Sequence, residues 1–512
     1  MFSKVYSGGL QGLEGYQVQV EADISDGLPG FHMVGYLASE VREAEDRVRT
    51  AMKNSGFLLS PMRVTVNLSP ADIRKDGTGF DLPIAIAVLA AYGIVEPMML
   101  KRAAFLGELG LDGQVKPIKG ILPLVSELRD QGIRRCYLPS GNRAEGLAVE
   151  RIEIVSVSSL KALVEALNGP EDITPEVKNE WDFPADSGGY PVDFKEVSGQ
   201  QLARRATEIA VAGQHNILYL GPPGSGKSMI AQRIPTIMPE LSPEEQLELS
   251  KVYSVCGMLP QGKALAGIRP FRAPHHTVSP QALTGGGKIP KPGEISLASR
   301  GVLFLDELPE FHKAALEILR QPLEEHKVMI SRVWGAYEFP AQFMLAAAMN
   351  PCPCGYYPDR NRCSCTSGQV QKYLGRISRP LLDRIDLCVE VSPVTYEDIR
   401  GRKENESSAS IRERVERARE IQKKRFDEMP IFFNSEMKNR EIKRFCTLGD
   451  EEEEFLKSIF GKMQLTARGC HKILKVARTI ADLDGAEHIA RYHLSEAIGY
   501  RELENKYWRK VR

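Results

Sequence analysis

Residues 217–228 read ILYLGPPGSGKS, four apolar residues running straight into Gly221-Pro222-Pro223-Gly224-Ser225-Gly226-Lys227-Ser228. A short run that is apolar at every position is what a strand buried on both faces of a parallel sheet requires. The loop after it fits G-x-x-x-x-G-K-[ST] in the strand, loop, helix context that this motif needs. Its glycines let successive backbone N–H groups turn toward phosphate oxygens, and the following helix adds its positive end. Lys227 is expected to hold the β and γ phosphates of ATP. Ser228 is expected to offer its hydroxyl to Mg²⁺, which takes few protein oxygens and keeps several waters.

Two more apolar runs repeat the pattern downstream. Residues 302–307, VLFLDE, form a buried strand ending in two acids, the form of a Walker B segment. Asp306 would hold Mg²⁺, and Glu307 would orient and polarise the attacking water. Residues 343–350, FMLAAAMN, end on Asn350, whose amide can contact the γ-phosphate or that water. Ligands of parallel sheets sit at the carboxyl ends of the strands, so these three exits mark one functional edge. Arg379-Pro380-Leu381-Leu382-Asp383-Arg384-Ile385-Asp386 then supplies two arginines a short distance on.

The flanks read differently. Residues 1–167 alternate strand-like and helix-like stretches: Tyr16 to Ile24 alternates like a half-buried strand, and Val41, Ala44, Val48, Ala51 and Met52 fall on one helical face. Residues 168–192 are rich in Pro, Gly and acids without periodicity and read as a linker. The α/β nucleotide domain spans 193–395, and 396–512 read as a charged helical lid, with Ile411, Val415, Ala418 and Phe426 striping its first helix.

At ~150 residues per domain, 512 residues predict about three domains. Lys+Arg and Asp+Glu both total 67, so no overall positive field draws the chain onto phosphate, and any nucleic-acid contact must be local. The longest apolar run, Leu82 to Val95, falls short of the ~20 residues of a membrane span. The opening MFSKVYSGG lacks the parts of a secretory signal, which predicts a cytoplasmic chain without membrane partners. Its nine cysteines are then thiols or metal ligands. Four cluster as Cys352-x-Cys354 and Cys363-x-Cys365, with Pro351, Pro353 and Gly355 forcing turns. Four thiolates suit one structural Zn²⁺, although the usual spacing is C-x₂₋₄-C; free or redox thiols are the alternative. His275-His276 has no Cys or acid at ligand spacing and reads as a loop or interface feature.

The combination of PGEISLASRGVLFLDELPEF (292–311), NPCPCG (350–355) and RPLLDRID (379–386) resembles AAA+ ATPases, within them the helix-insert branch of magnesium-chelatase motors and MCM-type helicases. That resemblance makes Asn350 the sensor 1 residue and Arg384 an arginine reaching the neighbouring subunit's nucleotide. Arg468, opening the helix after Leu465-Thr466-Ala467, looks like sensor 2, in cis or in trans. The first 167 residues resemble a Lon-protease-like domain through Gly107 to Gly113, Pro117 to Leu122 and Leu138 to Asn142. Leu122 stands at the lysine position of the protease dyad and the serine position falls near Gly79, so this domain is expected to be noncatalytic. The whole chain resembles the YifB/ComM group of magnesium-chelatase-like ATPases. The resemblance implies a homo-oligomeric, hexameric ring acting on branched or single-stranded DNA in recombination or natural transformation. Residues 328–339 are strand-like at both ends and place Arg332 and Trp334 at a turn resembling the pore hairpin of such motors. A chelatase-type motor acting on a protein or cofactor-insertion partner, and a scaffold binding ATP without turnover, are the other readings.

Overall fold

The computed structural model describes residues 1–169, 173–178, 190–259, 262–332, 335–359, 361–393 and 405–508. Strands β1 (Phe2–Gln11), β2 (Glu14–Ser25), β3 (Gly30–Val34), β4 (Arg63–Ser69), β5 (Ala103–Phe105), β6 (Arg135–Pro139) and β7 (Glu153–Val157) form a mixed sheet in the order β3-β4-β2-β1-β5-β6-β7. In β2 the alternation holds: Val18, Val20, Ala22 and Ile24 point into the core. The helical stripe is divided at Glu43, between a single turn carrying Val41 and α1 (Ala44–Asn54), which buries Ala44, Val48, Ala51 and Met52.

The longest apolar run supplies α2 (Asp81–Ala91), in which every residue is buried. A helix that is hydrophobic all round belongs in an interior, and here it lies beneath β1 and β2. No helix among the described residues is long and apolar enough to cross a membrane. Asp81 at its start has no exposed side-chain surface, and Arg47 donates to both its carboxylate oxygens at 2.9 Å while the Leu109 N–H reaches it at 3.2 Å. Arg47→Ala would leave that acid buried and unpaired, an expected loss of about 3 kcal/mol. Thermal unfolding of the full chain checks this, and an unchanged first transition would show that Asp81 needs no cation.

Helix α3 (Ile121–Asp130) closes the other face of β1 and β2. Of the stretch read as a linker, residues 173–178 lie against this part of the chain: the Glu176 N–H donates to the Ile154 carbonyl at 2.7 Å, and Ile173 packs on its core.

Helix α4 (Gln201–Gly213) leads into the second sheet, whose first three strands in chain order are β8 (Ile217–Leu220), β9 (Phe271–Arg272) and β10 (Val302–Leu305), followed by a separate hairpin. The hairpin is β11 (Lys327–Arg332) with β12 (Gly335–Pro340), and the sheet is completed by β13 (Met344–Met349) and β14 (Leu387–Glu390). Its order is β9-β10-β13-β8-β14, parallel throughout. Alternate residues divide between two cores. Ile217, Tyr219, Phe304, Ala346 and Val389 enter one, and Leu218, Leu220, Leu305, Ala347 and Cys388 the other. Both faces are therefore dry, which is why these strands read as unbroken apolar runs. Helices α5 (Lys227–Gln232) and α6 (Pro243–Cys256) follow the loop after β8.

The helical end consists chiefly of α7 (Ser408–Arg425), α8 (Ala467–Leu483) and α9 (Arg491–Trp508). Ile411, Val415, Ala418 and Phe426 are buried in the same cluster as Ile217, so these helices share one core with the sheet. The first part of the chain rests on the nucleotide part through the Gly120 N–H, which donates to the Ser254 carbonyl at 3.1 Å, and through Leu247 and Leu265 packed on the α3 core.

Candidate functional site

The loop Gly221 to Ser228 leaves the carboxyl end of β8. Gly221 has no room for a side chain, since a Cβ would run into the Val391 carbonyl oxygen, and Gly224 and Gly226 hold φ of +75° and +90°. The Gly221 N–H donates to the Met349 carbonyl at 3.2 Å, tying the loop to the exit of β13. Lys227 is buried, and its ammonium donates to the carbonyls of Gly221 and Pro222 at 2.8 Å each and to Asn350 Oδ1 at 3.2 Å. Burial pulls the Lys227 amine below its ordinary pKa, opposed by Asp306. Ser228 Oγ donates to Asp306 Oδ2 at 2.6 Å, so hydroxyl and carboxylate already converge on one point, the donor pair that suits a hard Mg²⁺ ion. Pro222, Pro223 and Ser225 complete the loop, and Ser225 is buried within it.

Glu307 follows with φ of +52°, a left-handed conformation that costs a non-glycine residue about 1–2 kcal/mol and turns its side chain out of the strand path. The carboxylate is exposed, and His276 Nδ1 lies 3.4 Å from its Oε2. The second histidine of the pair thus approaches one of the two acids after β10, across a gap in sequence that no spacing rule bridges.

Arg384 lies elsewhere. It precedes β14, whose Leu387 pairs with Ile217 at the amino end of β8, whereas the phosphate loop leaves the carboxyl end. Four strand residues, ~13 Å at 3.3 Å each, separate the two edges. The arginine makes no pair with Asp383 or Asp386. It is mostly buried, bonded to Glu324 Oε1 at 2.5 Å and to the carbonyls of Arg320 and Pro380. Arg468 approaches the same Glu324 oxygen at 4.0 Å. Both arginines line a cleft of about 1020 Å³, together with His471, Lys472, Lys475 and Asp386. Burial draws the Lys472 amine down to about 8, opposed by Asp386. Asn216 organises this edge and bears no recognisable motif: its amide donates to the Arg384 carbonyl and accepts from the Leu345 N–H, both at 2.9 Å.

The four clustered thiols are free cysteines whose sulfurs all lie within 4.8 Å of one another. Cys352 to Cys354 is 3.3 Å, Cys354 to Cys363 3.5 Å and Cys352 to Cys363 3.8 Å, far from a disulfide's ~2.05 Å and close to the ~3.8 Å between thiolates tetrahedrally bound to one Zn²⁺ at ~2.3 Å. Cys365 completes the set.

At the hairpin, Arg332 is exposed and donates to the Gly287 carbonyl at 3.3 Å, and Val328, Ile330 and Phe339 anchor the strands. Trp334 lies outside the described residues. The opposite strand meets the first part of the chain: a Cβ on Gly12 would lie 3.2 Å from Tyr337. Of the dyad positions, Leu122 is buried in α3 and Gly79 sits beside Ile118, so neither supplies a nucleophile or an amine.

Comparison with known proteins gives the family of the chain. Residues 193–399 match the family model for magnesium chelatase, subunit ChlI, residues 20–142 that for subunit ChlI of Mg-chelatase, and residues 405–501 that for its C-terminal region. Over 506 residues the chain is 43% identical to the competence protein ComM of Haemophilus influenzae, covering 98% of this chain and 97% of that protein. It is 40% identical over 504 residues to YifB of Escherichia coli, with 98% and 97% covered. A magnesium-chelatase 67 kDa subunit of Chlorobaculum parvum is 23% identical over 42% of the chain. A phosphate loop, two acids and an asparagine at one edge of a parallel sheet, in a chain alike from end to end, make this a member of the magnesium-chelatase-like AAA+ family, of the ComM and YifB kind.

Proposed function

We propose that the chain is an ATP-hydrolysing ring motor acting on branched DNA. The observation carrying the ring is the separation of Arg384 and Arg468 from the phosphate loop. The two arginines converge on one cleft at the amino edge of a sheet whose carboxyl edge carries Lys227, Asp306, Glu307 and Asn350. A second copy that sets its loop against that cleft completes both sites, so Arg468 works in trans with Arg384.

Lys227 exchanges loop carbonyls for β and γ phosphate oxygens, and the backbone from Gly221 to Gly226 cradles them. Ser228 and Asp306 would hold Mg²⁺, an ion that would supply positive charge against the phosphates. Glu307 polarises the attacking water and Asn350 orients it, while a neighbour's Arg384 spreads charge off the transferring phosphoryl group. Cys352, Cys354, Cys363 and Cys365 would hold one Zn²⁺ in a closed, structural four-thiolate site.

The DNA reading rests on the likeness to a relative named as a competence protein and on the exposed Arg332 of the β11–β12 hairpin. The chelatase family models favour the second reading, a motor for a protein or cofactor-insertion partner. ATPase rates of the full chain without DNA and with single strands, duplex and four-way junctions decide between them. Junction-selective stimulation that Arg332→Ala weakens is the expected result. Equal rates under all four conditions would overturn the DNA reading.

A further inference from the structure

The cysteine cluster touches more of the nucleotide site than its place in the sequence requires. Gly355, inside the Cys352 to Cys365 loop, has φ of +88°, and a Cβ there would overlap Pro223 Cδ in the phosphate loop. Asn350, two residues before Cys352, accepts from the Lys227 ammonium. On its other side the cluster meets the end of α9. The Tyr357 ring stands edge-on to Tyr507 at 6.1 Å between centroids, and the Tyr507 hydroxyl reaches Glu390 at the end of β14. The Tyr357 N–H donates to Cys352 Sγ at 3.3 Å, a backbone bond of the kind that orients a metal thiolate.

We propose that a Zn²⁺ ion bound by Cys352, Cys354, Cys363 and Cys365 is a buttress for ATP binding, fixing the Pro222-Pro223 bend of the phosphate loop between the sensor strand and α9. The inference rests on the zinc reading above. Without a cation the four thiols are joined only by weak sulfur contacts, so the ion is what fixes the loop bearing Gly355. Because Gly355 has no side chain its backbone comes close to the Pro223 ring, so any loosening passes directly to the phosphate cradle. Linkage then makes the effect reciprocal: zinc strengthens ATP binding by the factor by which ATP strengthens zinc binding.

Two measurements on the full chain test this: zinc content by elemental analysis, and affinity for a fluorescent ATP analogue. Purified protein should carry about one zinc per chain. Gly355→Ala keeps all four thiols and should keep the metal, yet weaken the analogue about 5-fold or more, a typical coupling between sites. Stripping zinc from the unmutated chain with a chelator should weaken it by a similar factor and re-added Zn²⁺ should restore it, which separates the effect from misfolding. Protein without zinc that binds none when it is supplied would overturn the zinc reading. Protein that holds zinc but binds the analogue equally well with zinc, without it and as Gly355→Ala would leave that reading standing and overturn the buttress.

Discussion

Glu307→Gln should bind ATP as the unaltered chain does and hydrolyse it ~10²- to 10⁴-fold more slowly, the range that a positioned general base supplies. The amide keeps the shape of the side chain and removes its capacity to polarise water. The contacts that hold the nucleotide cradle together run through Lys227, Ser228, Asp306 and Asn350, none of which bonds the Glu307 carboxylate; only its backbone N–H reaches Asp306, at 2.9 Å. Binding and hydrolysis should therefore separate in this variant. Phosphate release and retention of labelled ATP measure the two halves, and near-normal turnover would remove Glu307 from its assigned role. Lys227→Ala should lose nucleotide affinity itself.

Arg384→Ala should lower turnover by ~10³-fold or more, as loss of a transition-state arginine does in GTPases, although no atom of the chain's own phosphate loop is near it. The decisive form of the test mixes chains. In an oligomer of Arg384→Ala with Glu307→Gln, some interfaces pair an intact acid on one copy with an intact arginine on the next, and activity should reappear in proportion to those interfaces. Confirmed mixed oligomers without any recovery would show that Arg384 does not act between subunits. Arg468→Ala mixed in the same way should behave alike, because both arginines share Glu324 and one cleft. ATP should also favour assembly, since a ligand held by two copies stabilises the state in which both are present. Arg384→Ala breaks the Glu324 contact as well, so its thermal stability must be measured beside its turnover.

The phosphate loop, the Walker B acids and Asn350 were legible because each follows a strand directly, so that the motif and the element that positions it lie within about a dozen residues. The apolar runs 217–220, 302–305 and 344–349 announced a sheet buried on both faces through local composition alone. The four cysteines were legible as a group for the same reason, since all lie in one short loop. Sequence also marked Leu82 to Val95 as too short for a membrane, although only the fold shows it as the central helix of the first sheet.

What the sequence by itself determined is thus the three buried strands and the polar residues at their exits, each exit contiguous with its own strand. Only the tertiary structure decided which edge of the sheet each part occupies. The strand order β9-β10-β13-β8-β14 puts Arg384 across the sheet from Lys227, though Arg384 follows Asn350 in the chain by fewer residues than separate Asn350 from Lys227. The approach of His276 to Glu307, the convergence of Arg468 on the Arg384 cleft and the seat of Gly355 against Pro223 are likewise contacts between distant segments. Their physical origin is the burial of two apolar faces at once, which fixes how strands and helices stack and brings together polar residues whose separation in sequence carries no pattern.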